Sequence, residues 1–334
     1  MSAVIPETQT EPLFAVDNLR VAFRYGQGHA EAVRGISLTV NHGEVLGIVG
    51  ESGSGKSVGM LASIGLQAEA ARVTGSARFK GQELVGMARR ELQKLHGARI
   101  AMIFQDPLSS LNPVMTVGWQ IAEALQLHNP GLGKKAALER AEELLTLVSI
   151  PQPDRRLHQY PHEFSGGTRQ RVMIAMAVAN DPDLLIADEP TTALDVTVQA
   201  QIMEVLANLQ KRLNLGLVLI THDLGVLAGH ADRVAVVYSG EIVEQASVFD
   251  LFARPSHPYT RGLIASIPNM AVEQDRLFSI DGTPPALGKH PGGCAFHPRC
   301  PMAEDICRKV APPVRGTPDH IAACHFADLP QRSA

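Results

Sequence analysis

Eight consecutive residues, Gly50-Glu51-Ser52-Gly53-Ser54-Gly55-Lys56-Ser57, match the pattern G-x-x-x-x-G-K-[ST] in full. Glycines let such a loop curl its backbone N–H groups around phosphate oxygens, and a helix starting after it adds further unpaired donors. Lys56 is placed to contact the terminal phosphates and Ser57 to ligate Mg²⁺. Two more carboxylates stand where chemistry is possible. Asp188 and Glu189 end the apolar run Leu184-Leu185-Ile186-Ala187, so a strand could hold Asp188 near the metal, through water, and Glu189 near an attacking water. His222 lies just beyond a second run, Leu217-Val218-Leu219-Ile220.

The remaining reactive residues are cysteines, all four of them beyond residue 290. Cys294, Cys300, Cys307 and Cys324 leave five, six and sixteen residues between them. No C-x-x-C pair is present, which makes a structural zinc site the weaker reading. Four thiolates can also converge on an iron–sulfur cluster, or remain reduced structural thiols. His297 and His325 flank two of the candidate ligands, and packing or solvation is their simpler role.

Composition narrows the class. The chain has 334 residues, 45% hydrophobic and only 4% aromatic, so aliphatic side chains must fill a core sufficient for one or two domains. A formal charge of -4 gives no global drive toward nucleic acid or anionic lipid. No apolar run approaches the roughly 18 residues of a membrane-spanning helix. The polar start, Met1 to Thr8, does not read as a signal peptide. Together these point to a chain that stays in the cytosol, which leaves peripheral attachment to a membrane open.

The elements that position these residues follow from periodicity. Strands are expected near Leu13–Phe23 and Ala32–Val40, separated by a turn from Tyr25 to Glu31, and at Val45–Val49 directly before the glycine-rich loop. A helix should begin near Lys56. Val117–Leu127, Lys134–Leu147 and Arg169–Asn180 carry helical spacing in a proline-punctuated region. Leu184–Ala187 and Leu217–Ile220 read as central strands, with a helix between them capped by Asp195. Val234–Tyr238 and Glu241–Val243 read as further strands. Pro and Gly become frequent after Phe249, which places a transition between residues 250 and 285.

With these residues assembled, the sequence resembles an ABC transporter ATPase from its first strand to about Gln245. Phe164-Ser165-Gly166-Gly167-Thr168-Arg169-Gln170-Arg171 resembles the family signature, and Gln105 within Ile103-Phe104-Gln105-Asp106-Pro107 resembles the Q-loop. Ala193-Leu194-Asp195 resembles the D-loop and Thr221-His222-Asp223 the switch-histidine segment. Thr168 departs from the commonest glutamine at its position. The resemblance implies an α/β P-loop NTPase of the ABC ATPase type at 13–250, with a helical signature subdomain at about 106–180, a flexible leader at 1–12 and an extension at 251–334. It implies ATP and Mg²⁺ as ligands, Glu189 as general base, and Gln105 sensing the metal and the attacking water. His222 would hold the γ-phosphate geometry. Ser165, Gly166 and Gly167 would contact ATP held by the opposite subunit. Phe23 aligns best with the aromatic that stacks on adenine, and Tyr25 is a credible substitute.

The segment Leu251-Phe252-Ala253-Arg254-Pro255-Ser256-His257-Pro258-Tyr259-Thr260, continued by Ile280-Asp281-Gly282-Thr283-Pro284-Pro285, is similar to the extension of dipeptide, oligopeptide and nickel importer ATPases. That similarity implies import of di- or oligopeptides across a bacterial inner membrane, with the chain peripheral on its cytoplasmic side. The implied partners are two transmembrane permease subunits, a paralogous ATPase subunit forming a heterodimer, and an extracytoplasmic solute-binding protein. No nucleic acid is expected. It further implies a [4Fe-4S] cluster on the four cysteines. Two other readings stay open: the same motor serving nickel or another small solute, or a soluble ABC ATPase of nucleic-acid repair or translation.

Overall fold

The computed structural model describes residues 11–106, 110–267 and 278–327. Most of the expected leader, and Pro107 of the Gln105 segment, lie outside them. Twelve strands follow in chain order: β1 (Phe14–Tyr25), β2 (Gly28–Val40), β3 (Val45–Val49), β4 (Arg72–Phe79), β5 (Gln82–Glu83), β6 (Ile100–Ile103), β7 (Leu184–Asp188), β8 (Gly216–Thr221), β9 (Arg233–Tyr238), β10 (Glu241–Ser247), β11 (Val314–Thr317) and β12 (His320–Ala323).

They form two sheets, a four-stranded one ordered β2-β1-β4-β5 and an eight-stranded one ordered β11-β12-β10-β9-β3-β8-β7-β6. In the larger sheet β3 runs parallel to β8 and β9, β8 to β7, and β7 to β6. Strands β3, β7 and β8 are buried at every residue, as continuous apolar runs flanked on both faces must be. Their alternation divides two cores. Leu46 and Ile48 of β3 face the β1–β2 layer, whereas Val45 and Val49 face the helical side.

On that helical side lie Val117–His128, Lys134–Leu147 and Gly166–Ala177, which share a core through Ile121, Leu125, Leu144 and Ile174. The third of these begins three residues earlier than spacing predicts. Ser165 takes the N-cap position, its side chain accepting from the Thr168 N–H, and this cap starts the helix at Gly166. The turn between β1 and β2 is also shorter than expected, because Gly26 adopts φ +58° and reverses the chain within two residues. Asp195 caps the helix Val196–Leu213 by accepting from the Val198 N–H.

The segment beyond residue 250 is joined to the rest through the sheet. β12 pairs antiparallel with β10, and β11 with β12. At that junction the carboxylate of Glu244, fully buried, accepts from the N–H groups of Ser256 and His257 and lies 2.8 Å from His320 Nε2. Among the described residues no helix is long and apolar enough to cross a membrane.

Candidate functional site

Four loops leave the same end of four neighbouring parallel strands. The glycine-rich loop follows β3, the Thr221-His222 turn follows β8, Asp188-Glu189 ends β7, and Gln105 follows β6. Residues far apart in sequence therefore converge beyond the carboxyl ends of the strands, where open α/β sheets bind ligands.

The glycine-rich loop has little room for side chains. Gly55 has φ +98°, and a Cβ there would come within 2.6 Å of the Ala32 carbonyl oxygen. Lys56, 6% exposed, turns back over the loop and donates from Nζ to the carbonyls of Gly50 at 2.7 Å and Glu51 at 3.0 Å. Burial lowers its pKa, while Glu189, Asp188 and Glu51 oppose the shift. Ser57 Oγ donates to Asp188 Oδ1 at 2.8 Å. Burial raises the pKa of Asp188, with the Ser57 hydrogen bond acting against it. The hydroxyl and carboxylate together form a hard oxygen donor pair suited to Mg²⁺.

Glu189 gathers the second group. Its Oε2 accepts from Gln105 Nε2 at 2.9 Å and from Thr192 Oγ1 at 2.8 Å, and His222 Nδ1 lies 3.5 Å from the same oxygen. Glu189 itself has φ +47°, a left-handed conformation uncommon outside glycine, and its N–H donates to the Ile220 carbonyl of β8. A carboxylate so held beside the phosphate loop can orient and deprotonate a water. Thr192 is a partner that sequence spacing did not mark, since one threonine in a Thr-Thr turn carries no distinguishing pattern.

Ser165, Gly167 and Thr168 lie elsewhere, around an open cavity also lined by Arg171 and Gln201 and by no residue of the glycine-rich loop. Thr168 Oγ1 sits 2.9 Å from Ser165 Oγ, so the shorter side chain at this position completes a local cap. Of the two candidate aromatics, Phe23 is half-buried against the β1–β2 core, whereas Tyr25 is 48% exposed. Gly288 of the extension closes over the Tyr25 ring, which a Cβ at that glycine would meet at 2.9 Å.

The His-Pro-Tyr-Thr motif has a structural explanation. His257 Nδ1 accepts from the Tyr259 N–H and caps the helix Pro258–Ala265, and burial pushes its pKa down to about 3, so the imidazole is neutral. That helix directs Tyr259 at the phosphate loop, where its hydroxyl oxygen accepts from the Glu51 N–H at 2.9 Å.

Cys294, Cys300, Cys307 and Cys324 line one cavity together with Phe296 and Met302. All four are free, and burial pushes the Cys294 thiol up to about 11 and raises Cys300 and Cys324 as well. Among the described residues no three His, Cys, Asp or Glu side chains are grouped so as to hold a metal ion.

Two family models match the chain. One described as ABC transporter covers residues 33–192, and one described as oligopeptide/dipeptide transporter, C-terminal region, covers 243–307. The oligopeptide transport ATP-binding protein OppD of Salmonella typhimurium is 49% identical over 93% of both chains, and the Escherichia coli protein of that name is 47% identical over 97% of this chain and 96% of its own. The Mycobacterium tuberculosis protein of that name is 53% identical over 95% of this chain, which spans about half (52%) of the length of that relative. Among solved structures, a dimeric ATP-binding cassette in a post-hydrolysis state bound to ADP and Pi superposes with a TM-score of 0.64 at 27% identity, over 70% of this chain and 98% of its own. With its strand-end residues, glycine-rich loop and C-terminal extension all accounted for, the chain belongs to the ABC transporter ATP-binding proteins, in the oligopeptide/dipeptide group.

Proposed function

We propose that the chain binds MgATP and hydrolyses it to drive import of di- or oligopeptides, as the nucleotide-binding subunit of an ABC transporter. The observation that carries the catalytic part is the convergence of Gln105, Thr192 and His222 on one oxygen of Glu189, beside the Lys56 loop. In this reading the N–H groups of Gly53, Gly55, Lys56 and Ser57 cradle the phosphates and Lys56 Nζ moves from the loop carbonyls to phosphate oxygens. Ser57 and Gln105, with Asp188 acting through water, would hold Mg²⁺, which would screen the phosphate charge. Glu189 takes the proton of the attacking water and His222 steadies the γ-phosphate. Phe23, or Tyr25 as its substitute, stacks on adenine. Ser165, Gly166 and Gly167 reach the ATP of a second cassette, an assignment supported by their separation from this chain's own phosphate loop.

The peptide assignment draws on the names of the relatives and on the C-terminal match. With it come two permease subunits, a paralogous cassette, a solute-binding protein, and a position on the cytoplasmic face of the inner membrane. Uptake in cells depleted of the chain tests this: wild type should restore labelled di- and oligopeptide uptake, and Glu189→Gln should not. Nickel uptake restored without peptide uptake would move the cargo to nickel.

The cysteine cavity fits a [4Fe-4S] cluster better than zinc. The support for this reading is that all four thiols line one cavity and that the chain carries no C-x-x-C pair. Bound there, a cluster would cross-link the loops of the extension. Anaerobically purified protein should contain iron and acid-labile sulfide in about equal amounts. Zinc in place of both would overturn the assignment.

A further inference from the structure

The phosphate loop carries a carboxylate. Glu51 directly follows Gly50, and a negative side chain beside a triphosphate site opposes binding unless it is neutralised. Arg299, 248 residues further along and next to Cys300, supplies that neutralisation. Its Nη1 donates to Glu51 Oε2 at 2.7 Å and its Nη2 to Oε1 at 2.9 Å, the bidentate geometry that only a guanidinium offers. The other donors are used as well: Nε to the Asp281 carbonyl at 2.9 Å, Nη2 to the Ile280 carbonyl at 3.2 Å, and Nη1 to the Tyr238 hydroxyl at 3.4 Å. The guanidinium also lies over the rings of Tyr238 and Phe296, 5.8 and 5.9 Å from their centroids. The Arg299 side chain is 5% exposed and that of Glu51 26%, so the cation is buried and the carboxylate keeps some contact with water.

The backbone of Glu51 is held at the same time. Its N–H donates to Tyr259 and its carbonyl accepts from Lys56 Nζ. Both Arg299 and Tyr259 come from beyond residue 250, so the extension grips this one loop residue by side chain and main chain. We propose that Arg299 is a positioning residue for nucleotide binding: it cancels the charge of Glu51, so that the loop presents Lys56 and the backbone donors to phosphate without an opposing carboxylate. The proposal rests on the phosphate-binding reading of Gly50–Ser57.

The test is MgATP affinity of the full chain carrying Glu189→Gln to prevent turnover, measured by equilibrium titration. Arg299→Gln should weaken binding about tenfold, because it leaves an unpaired carboxylate on the loop that binds phosphate. Adding Glu51→Gln to Arg299→Gln should recover most of that loss, since the unpaired charge is then gone. An Arg299→Gln chain that binds as tightly as its parent overturns the proposal. So does a double variant as weak as the single one, the result a purely architectural role would give. Lys56→Ala in the same assay keeps the two readings separate. If Lys56→Ala binds MgATP undiminished, the phosphate-loop assignment itself fails, whatever Arg299 does.

Discussion

Two carboxylates stand at the nucleotide-facing end of the sheet, and the chain treats them differently. Glu51 is locked: both oxygens are paired with Arg299, its N–H is bonded to Tyr259, and its carbonyl is bonded to Lys56. Glu189 is held differently. Its hydrogen-bond partners Gln105 and Thr192 are neutral, His222 stands 3.5 Å away with a side chain that is 59% exposed, and Lys56 acts on it only through its field. The same functional group thus marks a half of the site fixed by a guanidinium and a half held by neutral hydrogen bonds.

That contrast breaks most sharply at Glu189. Glu189→Gln should keep the hydrogen-bonding shape and lower steady-state ATP hydrolysis by about 10²- to 10⁴-fold, with MgATP binding retained. Hydrolysis close to wild type would remove Glu189 from the chemistry proposed for it. A smaller effect sharpens the fixed half through His257, the cap of the helix that carries Tyr259. Its pKa of about 3 in the folded chain lies below the ordinary value of 6.5. The unfolded chain therefore binds the proton first, and stability present above pH 6.5 is lost as pH falls toward 3. The loss from this group at pH 5 is about 2 kcal/mol. His257→Asn keeps an acceptor for the Tyr259 N–H and removes the titration. Its denaturation midpoint should therefore fall less than wild type between pH 7 and pH 5. An unchanged pH slope would show that His257 does not govern the anchoring of the clamp.

The half around Glu189 was the more legible in sequence. The phosphate loop is a contiguous eight-residue pattern, and Asp188, Glu189 and His222 each end an apolar run long enough to read as a strand. Once those strands are parallel neighbours, the convergence follows from the sheet. The fixed half carried no such signal. Arg299 sits in a Pro- and Gly-rich stretch with no periodicity, and the contact it makes spans 248 residues. Short or weakly apolar strands were missed for a related reason. Ile100–Ile103 has only four residues, Arg72–Phe79 holds one glycine and two arginines, and β11 and β12 are four residues each. Their strand character comes from the neighbours they pair with, so it becomes visible only in three dimensions.

The β11–β12 hairpin ties the sheet and the phosphate loop to one stretch of chain. By pairing with β10 it covers the rim of the main sheet, where main-chain donors and acceptors would otherwise face outward along a whole strand. A bare rim of that kind recruits other strands indiscriminately, and here it would also strand the buried Glu244 without His320. A cassette ending after β10 would need its own remedy at that rim, such as charge, proline or a shorter strand. Here the hairpin and the two residues that grip the phosphate loop, Arg299 and Tyr259, belong to the same stretch of chain, so removing that stretch would bare the β10 edge and release Glu51 together.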